Sequence, residues 1–274
     1  MNEFLVNGPV AVDIRLPAGS CEISAEEGGS RVHVLTEPYD AGDSRDRKAT
    51  GSTEISFERG RLQVRAPAMK GVGRVVGRRS AAVALVVTVP EGSTVSVATE
   101  SAAVVVHGRV AALKVNSADG DVAAAYVTGN VSVNSSDSDV RIGRVDGKLD
   151  VDSASGTVEV GYAGQDVAVK SSSGSTAIGT SYGNVKVSTA SGDLTINSAH
   201  QGTVRYNSSS GNLTVGVPHG TDVTTNFKSG DEHSVAASVL AAAAEARRSG
   251  VKTSNLSIKV STASGRVAVT EATA

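Results

Sequence analysis

The chain has 274 residues, of which 30 are Gly and only 3% are aromatic, with no Trp, so its core has to be built from small and β-branched side chains. Lys and Arg number 26 against 28 Asp and Glu, a net charge of -2 that gives no overall field to draw nucleic acid or acidic lipid to the surface. A single cysteine, Cys21, excludes an intramolecular disulfide.

At the start, "MNEFLVNGPVAVDIRL" carries an acidic residue where a signal peptide needs positive charge, and no continuous apolar stretch follows it. The expected setting is the cytoplasm. The longest apolar run, "AAVALVV" at 81–87, falls well short of a bilayer-spanning helix, so no transmembrane segment is expected. Residues 1–110 read as irregular rungs of a larger repeat. "VAVDIRLPAGSCEISAEEG" (10–28) and "VALVVTVPEGSTVSVATES" (83–101) share one plan: alternating strand, Pro, small turn, alternating strand. Between them, 36–52 is polar and charged and 67–80 is basic and Gly-rich, so both are expected to be surface loops.

From 111 to 233 the repeat becomes regular. A turn glycine, or Ser in its place, falls at Gly120, Ser138, Gly156, Gly174, Gly192, Gly211 and Gly230, at spacings of 18 or 19 residues. A second punctuation runs through Gly129, Gly147, Gln165, Gly183 and Gly202. Apolar columns follow the same period: Val115, Val133, Val151, Val169, Val187, Tyr206 in one, and Val122, Val140, Val158, Thr176, Leu194, Leu213 in another. Polar residues alternate with them, as in strands with one buried face. Strands this short cannot bury an apolar face alone, but stacked rungs give a continuous interior ladder. The fold expected is therefore all-β, a parallel β-solenoid of about 18-residue rungs. The column Ser117, Ser135, Ser153, Ser171, Thr189, Ser208 precedes the turn, where hydroxyls are expected to bond to one another and to turn amides.

"SVAASVLAAAAEARRSG" (234–250) breaks the pattern with strong helix formers, cations in its last turn and Gly250 as a stop. It is expected to be a helix covering the open end of the solenoid. A final rung, 254–270, follows, and the whole of 1–274 is expected to be one solenoid domain.

The "VPEGSTVSVATES" stretch followed by tandem "SASG"-type units resembles the bacterial domain family known as "putative adhesin", most strongly over 83–217 and 254–270. The resemblance implies a β-solenoid. It brings no general catalytic mechanism and no set of binding residues.

Two groups of residues carry candidate chemistry. "ADGD" (118–121) and "SDSD" (136–139) lie on consecutive rungs, which stacks Asp119 over Asp137 and Asp121 over Asp139. A hard cation such as Ca²⁺ relieves the repulsion of stacked carboxylates, and a solvated corner accounts for the same residues because Asp favours turns. In the 67–80 loop, Arg74, Arg78 and Arg79 could hold an anion, a membrane headgroup or an acidic partner, and a charged solvated loop accounts for the same residues. His200 and His219 lie one rung apart without metal-ligand spacing. Asp150, Asp152 and Glu159 sit in outward columns, but no aromatic cleft accompanies them. The function expected is a non-enzymatic binding or scaffolding module, presenting loops and flat faces to a protein partner or to a second copy of itself. The alternative is a carbohydrate-active solenoid enzyme or a secreted surface adhesin.

Overall fold

The alternating stretches form parallel strands that stack at the expected period. The structure, a computed structural model, describes residues 2–67, 80–229, 233–249 and 254–272. Its contacts gather into two compact units, Met1–Ser138 and Asp139–Ala274.

In the first unit the elements are β1 (Asn2–Leu5), β2 (Ala11–Glu26), β3 (Arg31–Pro38), α1 (Ser44–Gly51), β4 (Glu54–Glu58), β5 (Arg61–Arg65), β6 (Val83–Pro90), β7 (Thr94–Val110), β8 (Ala112–Ser117), β9 (Val122–Val127) and β10 (Val131–Asp137). Parallel ladders run from β7 to β8 and β9, and from β8 to β10, where Leu113 faces Val131 and Val115 faces Val133. The long β2 lies between two neighbours that follow one another in the chain. It pairs with β7 on one side and with β5 and β6 on the other. Beyond that outer rung the ladders turn antiparallel, β4 on β5 and β1 on β3 on β6.

The 36–52 stretch is more ordered than a surface loop. Its first residues extend β3, and 44–51 form α1 with Asp43 as N-cap, accepting from the Arg45 N–H at 2.8 Å. Asp46 is buried and accepts the backbone N–H groups of Asp40 (3.1 Å) and Ala82 (2.8 Å), tying the helix to the rung beneath. In the other stretch, 67–80, residues 68–79 with Arg74, Arg78 and Arg79 lie outside the described residues.

The second unit comprises β11 (Val140–Val145), β12 (Leu149–Ser155), β13 (Val158–Ala163), β14 (Val167–Ser171), β15 (Thr176–Ser181), β16 (Val185–Ser188), β17 (Leu194–Ala199), β18 (Gly202–Ser210), β19 (Leu213–Val217), β20 (Asp222–Ser229), β21 (His233–Val235), α2 (Ala237–Ser249), β22 (Asn255–Ser264) and β23 (Val267–Glu271). One ladder runs β12–β14–β16–β18 and places Val151, Val169, Val187 and Tyr206 in a single buried column, each at most 2% exposed. The other runs β11–β13–β15–β17–β19. Each apolar side chain so buried contributes about 1.5–3 kcal/mol. Tyr206 fits among valines because its hydroxyl donates to the Gly192 carbonyl at 2.6 Å.

The turn glycines are required by the stacking itself. Gly174 has φ +141°, and a Cβ there would stand 2.1 Å from the Gly156 carbonyl oxygen one rung earlier. The hydroxyl column works differently from the expectation. Ser153, Ser171, Thr189, Ser208 and Thr262 each donate to the carbonyl two residues ahead, at 2.6 to 3.1 Å, so they satisfy acceptors exposed by the bend and not turn amides.

At the end of this unit chain order and spatial order part company. The rung that is last in the chain is inserted, with β22 between β18 and β20 and β23 between β19 and β21, all parallel. β20 and β21 are the outermost strands, and α2 packs against β20 and β23. Gly230 and Gly250 lie outside the described residues.

Candidate binding site

The glycine corner of the second unit is concave for a simple reason. Rungs stack closely where β13, β15 and β17 end, so Gly164, Gly183 and Gly202 recur there; a Cβ on Gly183 would approach the Gln165 carbonyl carbon to 2.4 Å. Successive missing side chains leave an open groove of about 740 Å³. Its walls are Gln165, Asp166, Tyr182, Asn184, Gln201, Ser254 and Asn255. The floor is fixed by a ladder of polar side chains: Asp166 Oδ1 accepts both the backbone and the side-chain N–H of Asn184 at 3.0 Å, and Asn184 Oδ1 accepts the Thr203 N–H at 2.9 Å. The Gln201 amide donates to the Tyr182 carbonyl at 2.9 Å, which leaves its own oxygen to solvent.

One wall of the groove belongs to a stack of side chains along the rungs. The Arg144 guanidinium lies 4.2 Å above the Tyr162 ring and its Nε is 2.8 Å from Asp146. Tyr162 leans on Tyr182 at 5.6 Å between centroids, tilted by 44°, and Tyr182 stacks on His200 at 4.2 Å and 15°. His200 Nε2 is 3.3 Å from the Ser198 hydroxyl. Tyr182 remains 36% exposed, in a chain with few aromatic residues and most of its core made of Val. The stack thus presents ring edges and hydroxyls to solvent beside amide-rich walls.

Among the residues singled out from the sequence, Asp119 and Asp137 do meet, joined by a parallel bridge at successive corners of the first unit. Ser138, standing where a turn glycine recurs, accepts the Gly120 N–H at 3.2 Å. Asp121 follows Gly120 at the same corner and is exposed. In the second unit, the Asp139 carboxylate accepts the Thr157 N–H at 2.8 Å and pairs with Arg141 at 3.1 Å. That backbone hydrogen bond, with Arg141 beside it and against a smaller effect of burial, holds Asp139 below the usual carboxylate range. The same device recurs along the column, as Asp193 Oδ1 accepts from Asn212 and Asn212 Oδ1 from the Arg266 N–H. Among the described residues, no group of three or more His, Cys, Asp or Glu is placed to hold a metal ion. His219 Nδ1 lies 3.2 Å from Glu271, while His200 belongs to the aromatic stack. Glu159 pairs with Arg141 at 3.2 Å, on a different strand from Asp150 and Asp152. Cys21 is buried, and desolvation pushes its thiol up to about 12, which keeps it protonated and inert. No described helix is long and apolar enough to cross a membrane.

The aromatic stack went unread in the sequence because Tyr162 and Tyr182 are 20 residues apart, off the repeat period, and their rings meet by leaning across columns. Tyr182 and His200, spaced by 18, were the available signal.

Parallel ladders at an 18- or 19-residue period, closed by a helix at one end, define a β-solenoid repeat protein. The chain belongs to the Toastrack DUF4097 family, whose model matches residues 18–270. Among solved structures it is similar to a "putative adhesin" from Bacteroides fragilis NCTC 9343, at 12% identity over 98% of this chain and 95% of that one, TM-score 0.42. It is also similar to a "putative lipid binding protein" from Parabacteroides distasonis ATCC 8503, at 12% identity over 97% and 95% of the two chains, TM-score 0.46. A "putative cell adhesion protein" from Clostridium sporogenes ATCC 15579 aligns at 9% identity over 98% of both chains, TM-score 0.25. No curated protein matches the chain.

Proposed function

We propose that this protein is a non-enzymatic binding module, and that its contact surface is the groove walled by Tyr182, Gln165, Asn184, Gln201 and Asn255. The observation that carries this reading is the exposed, stacked Tyr182 beside a preformed groove lined by amides. The rungs hold these side chains in place before any ligand arrives, so little ordering entropy is lost on association. A protein partner, or a second copy of the chain, is the occupant expected of a scaffold. Amides, phenol edges and hydroxyls around the groove favour whichever occupant presents many hydrogen-bonding groups.

The test is affinity capture from the native cell with the unaltered protein, a Tyr182→Ser, Gln201→Ala variant, and Arg47→Ala as a control remote from the groove. Material that is retained by the first and third and lost from the second supports the reading. Equal retention by all three places the contact elsewhere and overturns it.

A further inference from the structure

The sheet face that begins at the rim of this groove is positively charged. Lys186 on β16 stands opposite Arg205 on β18, and Arg205 opposite Lys259 on β22, so three cations occupy successive rungs in one outward column. In the next outward column, Lys170 and Lys228 stand at the two ends of the row Ser188, Asn207, Ser261. All five cations are exposed, and none makes an ion pair or side-chain hydrogen bond among the described residues. Along this ladder Asp150 and Asp152 of β12 face Ala168 and Lys170, and β14, β16, β18 and β22 carry no acidic residue; Asp222 stands at the start of β20, opposite Asn255. The groove's own carboxylate, Asp166, is committed to the Asn184 N–H groups.

Stacked like charges about 4.8 Å apart repel one another, so this column opposes folding in place of supporting it. Other outward cations of the unit are matched across or along rungs, as in Arg141 with Glu159 and Arg144 with Asp146. A bound anion supplies the missing counter-charge. Asn184 leads into Lys186 two residues on, and Thr203 likewise into Arg205, which makes the amide groove and the cation column adjacent parts of one surface.

We infer that this surface binds an acidic glycan, a chain of sugars bearing carboxylates. This rests on the groove being the contact surface. Amide and hydroxyl groups of Gln165, Asn184, Gln201 and Asn255 match sugar hydroxyls, and the cation column matches carboxylates carried along the chain, with Arg205 able to take one in bidentate fashion. A nucleic acid shares the charge but also needs free ring faces for its bases. Here the rings are already engaged with one another: His200 covers one face of Tyr182, Tyr162 leans on it tilted by 44°, and Arg144 lies over Tyr162.

The experiment is titration calorimetry of the whole protein with three carboxylated probes: hexagalacturonate, oligosialic acid and a hyaluronate octasaccharide. Methyl-esterified hexagalacturonate and an oligothymidylate serve as comparison ligands. The expected result is binding of at least one carboxylated probe, weakened at least about tenfold by 0.5 M salt, by methyl esterification, and by Lys186→Ser with Arg205→Ser and Lys259→Ser. That triple variant is expected to melt no lower than the unaltered protein, since the column contributes repulsion, which separates lost binding from lost folding. Esterified and free glycan binding alike would leave the groove reading standing and overturn the acidic one. Binding of the oligonucleotide alone, or of none of the carboxylated probes, would overturn the glycan assignment, whereas equal capture by the Tyr182→Ser, Gln201→Ala variant is what overturns the groove.

Discussion

In the first unit β2, close to the chain's beginning, lies between β7 and the outer strands β5 and β6; in the second, β22, close to its end, lies between β18 and the outer strand β20. Each of these segments is thereby an inner rung with ladder partners on both sides. The closures beyond them differ. The first unit finishes in antiparallel strands and an eight-residue helix tied down by the buried Asp46. The second finishes under an Ala-rich helix that buries small side chains, Val239 and Ala243. Insertion gives β2 and β22 ladder partners on both edges, so neither presents an open edge for pairing. The closures then differ in kind: polar ties in the first unit, apolar docking in the second.

The severest way to break this comparison is to remove an inserted rung. Ending the chain at Ser254 deletes β22 and β23, whose Leu256, Ile258, Val260, Val267 and Val269 are all at most 3% exposed. At about 1.5–3 kcal/mol for each, the loss rivals the whole stability of a domain. Cooperative thermal unfolding of the second unit is expected to disappear, followed by circular dichroism. A merely shifted but sharp transition would show that the inserted rung is dispensable and that β18 and β20 can close on each other.

The regular rungs offer the next test. Gly174→Ala places a methyl group against the Gly156 carbonyl, whereas Gly220→Ala, at φ +79°, meets nothing within 4 Å. Denaturant titration is expected to show a loss of about 3 kcal/mol or more for the first and about 1 kcal/mol for the second. Equal losses would mean that backbone conformation and not rung spacing sets the demand for glycine. Between the closures, Asp46→Ala strands the Asp40 and Ala82 N–H groups and is expected to cost about 2–3 kcal/mol. Val239→Ala under α2 is expected to cost about 1–2 kcal/mol, because a partly open site relaxes around a small deletion. Reversal of that order would assign the firmer closure to the helix.

Where the chain repeats at a fixed period the fold could be read residue by residue, because each rung meets only its neighbours and Val169 over Val151 follows from spacing alone. The ends could not be read so. Lys259 beside Arg205 joins residues 54 apart, and β2 against β6 joins rungs out of chain order; periodicity holds no information about which rung is skipped and later filled. The candidate site was half legible for the same reason. The 19-residue spacing is enough to put Lys186 and Arg205 in one outward column, but the third cation arrives by insertion, and the Tyr162–Tyr182 contact depends on ring direction, which the spacing of backbone positions leaves undetermined.

The smallest expected effect concerns the acidic corners, which separate a structural ladder from a cation site. Asp139 is held below its ordinary range mainly by the Thr157 N–H, so its contribution is present above the unfolded-state pKa of about 3.9 and is lost as pH falls through the lower folded value. Asp139→Asn keeps an oxygen able to accept from Thr157 but removes the charge. At neutral pH it is expected to cost less than about 1 kcal/mol, and it should flatten the fall of stability in the acid range. Chelation by EDTA is expected to leave the melting temperature of both proteins unchanged. A chelator-induced drop in the unaltered protein, absent from a variant carrying Asp137→Asn and Asp139→Asn, would mean that a cation rather than the hydrogen-bond ladder is the partner of these carboxylates. The two outcomes are cleanly separable, because a ladder of carboxylates accepting backbone N–H groups responds to pH and not to chelator, and a bound divalent cation responds to both.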